Sequence, residues 1–173
     1  MNRGKMSGIL AMALVLGLAL SGCATTTVGM TDPALNGRWL SEDGEVEIRF
    51  NNGYVEFFFD ERPVLRGTYT TSANTITISF TEVHGGFFSE ILEDEGIPLD
   101  FPSSWFTRSQ LLTILENEFE YMGFPTEDIL DFIDYLSLMF DEFFTTETET
   151  YEVSGNILTM IFDGEAVTYT RVN

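Results

Sequence analysis

The chain has 173 residues, with 28 Asp and Glu against 8 Lys and Arg, for a formal net charge of −20. A single Cys forbids an internal disulfide framework and any site built from several cysteines. So large an acidic excess argues against nucleic acid as a partner, because phosphate recognition needs clustered Lys and Arg. With 16 Phe the chain is too aromatic for a disordered acidic tail, which leaves a small acidic globular domain.

Residues 1–22 read as a signal peptide and not as part of the fold. Arg3 and Lys5 form a short basic start, and Ile9 to Leu20 is an unbroken run of apolar residues and Gly. That run is too short for a stable membrane-spanning helix, which takes about 20 residues. Leu20-Ser21-Gly22-Cys23 resembles the lipobox of bacterial lipoproteins, in which the Cys is acylated and becomes the new N-terminus. A secretory peptide with a chance Cys is the alternative. The resemblance implies a membrane anchor on Cys23, and Ala24 after it, which is not Asp, implies sorting to the outer membrane. Two or three acyl chains anchor stably where one binds only marginally. Cleavage would remove two cations and no acid, leaving six Arg, no Lys and a charge of −22. Residues 23–36, with Thr25-Thr26-Thr27 and Asp32-Pro33, form a polar tether.

From Gly37 to Val83 the pattern is that of strands. Glu45 to Phe50 alternates charged and apolar residues, the period of a half-buried strand. Asn51-Asn52-Gly53 is a hairpin signal, because both central residues of the favoured turn need φ > 0. Tyr54 to Asp60, Val64 to Thr71 and Thr75 to Val83 follow as further strands, joined by tight turns.

Residues 84–147 change character and read as an insertion. His84-Gly85-Gly86 breaks the strand period, and Phe87 to Phe106 reads as an aromatic, Pro-containing loop. Thr107 and Gln110 make a capping box for a helix to about Met122. Gly123 and Pro125 stop it, and Thr126 caps a second helix. Ile129, Phe132, Ile133, Leu136, Met139, Phe140, Phe143 and Phe144 share one face of that helix, with Asp128, Asp131, Asp134, Asp141 and Glu142 opposite. The pair is an αα-hairpin with a large apolar side.

Strands return at Thr150 to Ser154, Ile157 to Asp163 and Ala166 to Val172. Thr68–Ile76 and Thr150–Leu158 echo one another, the same hairpin used twice. Five strands before the insertion and three after it make eight. Closing all eight into one antiparallel up-and-down β-barrel over 37–173 removes the open edges that two smaller sheets would expose. Two separate domains are the alternative.

Gly37-Arg38-Trp39 at the start of the first strand and Arg171 near the end of the last resemble the bacterial lipocalin-like lipoproteins of the calycin group. The resemblance implies a mainly β, lipocalin-like barrel in which Arg171 stacks across Trp39 as a plug at the barrel base. It covers 37–83 and 148–173. Two departures stand against it: the chain has no C-terminal helix after the last strand, and the insertion is foreign to that fold.

No catalytic motif appears: there is no Gly-x-Ser-x-Gly, P-loop, His-Glu-x-x-His or EF-hand spacing. The expectation is a non-enzymatic protein without cofactor or metal. His84, the only His, reads as a solvated turn residue, and Glu93-Asp94-Glu95 with Asp100 as a solvated acidic run rather than a Ca²⁺ site. By alternation Tyr69, Ile76, Ile78, Phe80, Tyr151, Val153, Leu158, Met160 and Phe162 point inward and are candidate ligand-binding residues. Glu118 falls inside the apolar arc of its helix, where a buried carboxylate would need a cation such as Arg108 or Arg66, or water, or a proton; a side chain reaching out at the edge of a frayed helix is the plainer reading, and a ligand contact the sharper one. Tyr54 to Phe59 and Ile157 to Ile161 are apolar on both faces, so the insertion should cover their outer sides as a buttress or close the mouth as a lid. The leading expectation is binding of a small apolar or amphipathic ligand, in the barrel or beneath the insertion, with a pocket of about 300 Å³ or more. The alternative is an envelope protein whose partner docks on the insertion around Leu130, Leu138, Trp105 and Phe106.

Overall fold

The computed structural model describes residues 30–94, 96–97, 99–123 and 126–172; within 126–143 it describes the side chains of 133–138, 140, 141 and 143. The leader, Cys23 and the tether before Met30 lie outside the described residues. Five strands come first: β1 (Gly37–Ser41), β2 (Val46–Asn51), β3 (Tyr54–Phe59), β4 (Arg62–Ser72) and β5 (Thr75–His84). Then come α1 (Gly85–Asp94), a two-residue β6 (Trp105–Phe106), α2 (Arg108–Tyr121) and α3 (Thr126–Phe143). The strands β7 (Thr146–Ser154), β8 (Ile157–Phe162) and β9 (Glu165–Val172) finish the chain.

Eight strands close into one antiparallel barrel. β1 pairs with both β2 and β9, and β5 with both β4 and β7, so the ribbon after the helices rejoins the one before them. β6 only extends the end of β5.

The turns follow from their residues. Asn52-Gly53, Asp60-Glu61 and Asp163-Gly164 all have positive φ at both positions, the mirror-image turn whose twist matches that of the flanking strands. The echoed hairpins close alike, Ser72 opposite Thr75 and Ser154 opposite Ile157. Between β4 and β5 the register slips at Arg66/Gly67, leaving Thr81 as an extra, outward residue. Gly67 is required there: a Cβ would lie 2.0 Å from the Ser79 carbonyl oxygen.

The insertion differs from its sequence reading in one element. Phe87 to Phe106 is not all loop, because β5 runs to His84 and the chain turns at once into α1. Phe87, Phe88, Ile91 and Leu92 repeat at helical spacing, and Phe87, Phe88 and Leu92 are buried. The two glycines permit a close approach rather than breaking structure, since a Cβ on Gly85 would meet the Pro102 carbonyl at 2.2 Å. α2 starts on the expected capping box, with Gln110 Oε1 accepting from the Thr107 N–H at 2.8 Å. Among the described side chains of α3, Ile133, Leu136, Phe140 and Phe143 are buried.

The helices do not cover the outer wall. Tyr54, Ile157 and Ile161 stay exposed, and the outer face of Phe58 is covered by the guanidinium of Arg49, 3.7 Å from its ring centre. Instead the buried side chains of all three helices join the inward side chains of the barrel in one continuous apolar cluster. α1 packs on β4 and β5, and α2 on β5 and β6. Ring pairs such as Phe87–Phe143 and Phe88–Phe140 then bind the helices to each other. The insertion therefore caps the barrel end where β4 begins and β5 finishes. Among the described residues no helix is long and apolar enough to cross a membrane.

Candidate functional site at the capped end of the barrel

The two ends of the barrel are built differently. At the floor Trp39 and Arg171 are direct cross-strand partners, with the guanidinium 4.3 Å from the indole centre. Trp39 is fully buried and its Nε1–H donates to the Leu35 carbonyl at 2.6 Å. Arg171 donates to the carbonyls of Ala34 and Asn36, which end the 3₁₀ turn Pro33–Leu35. Tyr151 donates to Asp32 at 2.9 Å, Tyr69 to the Asn36 side chain at 3.3 Å, and the Thr71 N–H to the Met30 carbonyl at 2.7 Å. Each buried polar group at this end thus meets a carbonyl or carboxylate of residues 30–36. Among the described residues at this end, the Nε of Arg171 is the one buried side-chain atom without a partner.

The other end is closed by side-chain packing. At its rim, between the β3–β4 turn and α1, lies a cleft of about 250 Å³ lined by Phe59, Val64, His84, Phe87, Arg62 and Glu90 among others. Its floor is aromatic and aliphatic, and an Arg62–Glu90 ion pair spans the opening. His84 is not a solvated turn residue; it ends β5, packs edge-on against Trp105 at 5.3 Å, and burial lowers its pKa.

Across the same end, on β7, two carboxylates enter the barrel. Glu147 is opposite Ile78, and Glu149 opposite Ile76. Directly opposed residues in an antiparallel pair share a face, so both acids share the inner face with those buried isoleucines. Glu147 is only 6% exposed, and its Oε1 has no hydrogen-bond partner. Burial first, then the charges of Glu149 and Asp163, push its pKa up to about 8. Glu149 is raised for the same reasons, by burial and then by Asp163. Glu147 at neutral pH is accordingly a mostly neutral acid held in an apolar setting.

Tyr69, Ile76, Ile78, Phe80, Tyr151, Leu158, Met160 and Phe162 are all buried in the common cluster, and Val153 is half-buried at its edge. The hydroxyls of Tyr69 and Tyr151 are engaged at the floor, whereas Phe80 and Phe162 lie towards the capped end. Glu118 reaches out and is exposed, as the plainer reading has it, and is no ligand contact inside the barrel, because the buried stripe of α2 is the narrower set Leu111, Leu115 and Phe119. The cations suggested for it serve elsewhere, Arg108 on Asp141 and Arg66 on Glu82. Sequence reasoning missed Glu147 and Glu149, although the signal was present. With Tyr151 inward, alternation along β7 places 149 and 147 inward too, but starting that strand at Thr150 hid them.

Closure, up-and-down order and the indole–guanidinium floor define a lipocalin-like β-barrel. No protein-family model matches the chain, and neither does any curated protein. Among solved structures, a lipocalin-like protein from Bacteroides uniformis is similar at 16% identity and a TM-score of 0.40, covering 80% of this chain and 99% of the other. An uncharacterized protein from Bacteroides eggerthii is similar at 12% identity and a TM-score of 0.39, with the same coverage.

Proposed function

We propose that this chain is a lipid-anchored, non-enzymatic envelope protein of bacteria that binds a small apolar or amphipathic ligand at the capped end of its barrel. The observation that carries this reading is the asymmetry of the two ends. The floor is held by hydrogen bonds from indole, guanidinium and phenol groups, while the cap is an insertion held largely by apolar contacts and opening at a cleft. A container with one bonded end and one packed end admits a ligand where only non-directional contacts must rearrange. The 250 Å³ cleft is somewhat smaller than a drug-sized pocket of about 300 Å³ or more, which suits a short ligand or partial opening of the cap.

The anchor reading adds an orientation. Met30 is the seventh residue after Cys23, a reach of at most about 25 Å. Since Met30 is tied to Thr71 at the floor, acylation of Cys23 would turn the floor to the membrane and the capped end away from it. Outer-membrane sorting follows from Ala24. Extraction of the purified lipoprotein with organic solvent and mass spectrometry of the extract tests ligand binding, and a stoichiometric small amphiphile is expected. An extract without one, together with no thermal shift by short-chain amphiphiles, would defeat the reading. Loss of a diacylglyceryl mass in Cys23→Ser tests the anchor.

The partner-docking alternative retains one clear support, Leu138, which is 70% exposed on α3. Trp105 and Phe106 are half-buried, the first against Arg66 and His84 and the second against Phe101, and the Leu130 side chain lies outside the described residues.

A further inference from the structure

Glu147 is the most anomalous group in the molecule: a carboxyl on the inner face of a barrel wall, more than nine-tenths buried, with one oxygen unpartnered. A buried carboxyl oxygen without a partner costs free energy, so its retention calls for a missing donor. This chain has no cation to supply one. Once residues 1–22 are removed it has no Lys, and each of its six Arg is committed elsewhere. Arg38 and Arg49 hold Glu47, Arg62 holds Glu90, and Arg66 holds Glu82. Arg108 holds Asp141, and Arg171 lies against Trp39. His84 is against Trp105 at the far end of β5.

The charges facing Glu147 are all of one sign. Glu149 is two residues away on its own strand, and Asp163 is on the β8–β9 turn. Extending the Thr150–Ile161 register brings that turn beside Glu147 and puts Phe162 across from Glu149. The other inner-face neighbour is Ile78 of β5. A cation arriving here would meet the Glu147 carboxyl, with the charges of Glu149 and Asp163 further off and aliphatic and aromatic surface around it. Among the described residues no group of three or more potential ligands is placed to hold a metal ion, and a bare metal would have no use for the apolar surroundings.

We propose that Glu147, which stands inside the barrel and not in the lining of the rim cleft, recognises the headgroup of a ligand that enters under the cap, and that this ligand is an organic cation, a primary ammonium on a short apolar body. The inference rests on the ligand-binding reading above. Glu149 and Asp163 add long-range attraction, and Ile78, Phe80 and Phe162 receive the apolar part. Because Glu147 is largely protonated at pH 7, ammonium binding expels its proton to solvent and leaves a carboxylate–ammonium pair.

The test is calorimetric titration of the full chain in non-ionic detergent, against a micelle-only blank, with n-octylamine, n-octanol and n-octanoate at pH 7 and 150 mM NaCl. Octylamine is expected to bind at least tenfold more tightly than octanol, and octanoate not at all. Comparing two buffers of different ionisation enthalpy should show close to one proton released per octylamine bound. In Glu147→Gln the amine preference should fall to within about twofold and the proton release should vanish, with octanol affinity unchanged. Circular dichroism of the variant confirms that it folds, and Glu149→Gln should retain most of the preference. Equal affinity for octylamine and octanol would overturn the inference and leave the ligand-binding reading standing. So would a preference that survives Glu147→Gln, which would reflect only the acidic surface, or stoichiometric displacement of octylamine by Ca²⁺. Binding of none of the three probes would overturn both.

Discussion

The strongest physical consequence of the buried carboxyl is a stability that falls with pH where most proteins are flat. Unfolded, Glu147 has an ordinary pKa of about 4.5; folded, it titrates at about 8. Between those values the folded chain binds one proton more than the unfolded chain, so stability declines by about 1.4 kcal/mol per pH unit. Protonation-linked stability is complete below pH 4.5 and is lost as pH rises through 8. Integrating from pH 6.5 to 8 gives a loss of about 1.6 kcal/mol from this group. For a urea m-value of about 2 kcal/mol/M, that is a midpoint lowered by about 0.8 M.

The window is chosen so that few other shifted groups titrate within it. His84, whose pKa burial lowers, is still partly protonated in the unfolded chain at pH 6.5 and acts with the opposite sign, raising stability by no more than about 0.4 kcal/mol between pH 6.5 and 8. Asp43 and Glu47 are depressed and titrate in acid, while Tyr151 and Tyr169 are pushed up to about 12. Glu149 is raised and adds in the same direction as Glu147. Urea unfolding followed by the fluorescence of the buried Trp39 at pH 6.5, 7.25 and 8 measures the slope. Glu147→Gln, which cannot ionise, should remove most of it and be more stable than the parent at pH 8. A flat profile in the parent, or parallel profiles in the two proteins, would show that the carboxyl is hydrated or partnered and would refute the reasoning.

Three other outcomes follow from the same structure. Arg171→Lys should lose about 2–4 kcal/mol by urea unfolding, since an ammonium reproduces neither the flat contact with Trp39 nor the two carbonyl contacts to Ala34 and Asn36. Glu47, held by Arg38 and Arg49 at a pKa of about 2, contributes stability present above pH 4.5 and lost as pH falls towards 2. Because both arginines are substantially exposed, Glu47→Gln should cost only about 1–2 kcal/mol at pH 7, with a shallower acid limb between pH 4.5 and 2. Gly67→Ala places a methyl against backbone of β5 at 2.0 Å, which no rotamer relieves, so a loss of about 3 kcal/mol or more, or an insoluble product, is expected from expression and melting assays.

What the sequence discloses is the part of the fold governed by local rules. Asn52-Gly53 and Asp163-Gly164 announce their turns because few residues tolerate positive φ at both positions, and Thr107 with Gln110 announces a helix start through two reciprocal hydrogen bonds. The barrel is legible because eight short strands with two distant halves have one economical way to hide their edges. Gly85-Gly86 misleads, since glycine breaks a pattern in sequence whether it supplies flexibility or room, and only the Pro102 carbonyl shows that room is the reason here. Glu118 misleads in the opposite direction: angular position on a helix gives a direction, whereas burial depends on where the neighbouring element ends.

Glu147 shows why the site was the least legible part. In a chain with 28 acids, one more glutamate on an alternating strand has no compositional signature. Its environment comes from partners far away in sequence: Ile78 across one ladder and Asp163 at the turn beyond β8, brought beside it only when the barrel closes. The six arginines matter just as much, because each is matched to an acid or a carbonyl outside the barrel's upper interior. A strongly acidic protein with so few cations leaves its inner-face carboxyls uncompensated when every arginine is engaged elsewhere. The proposed selectivity of the barrel interior for a positive guest rests on that distribution more than on the excess of negative charge itself.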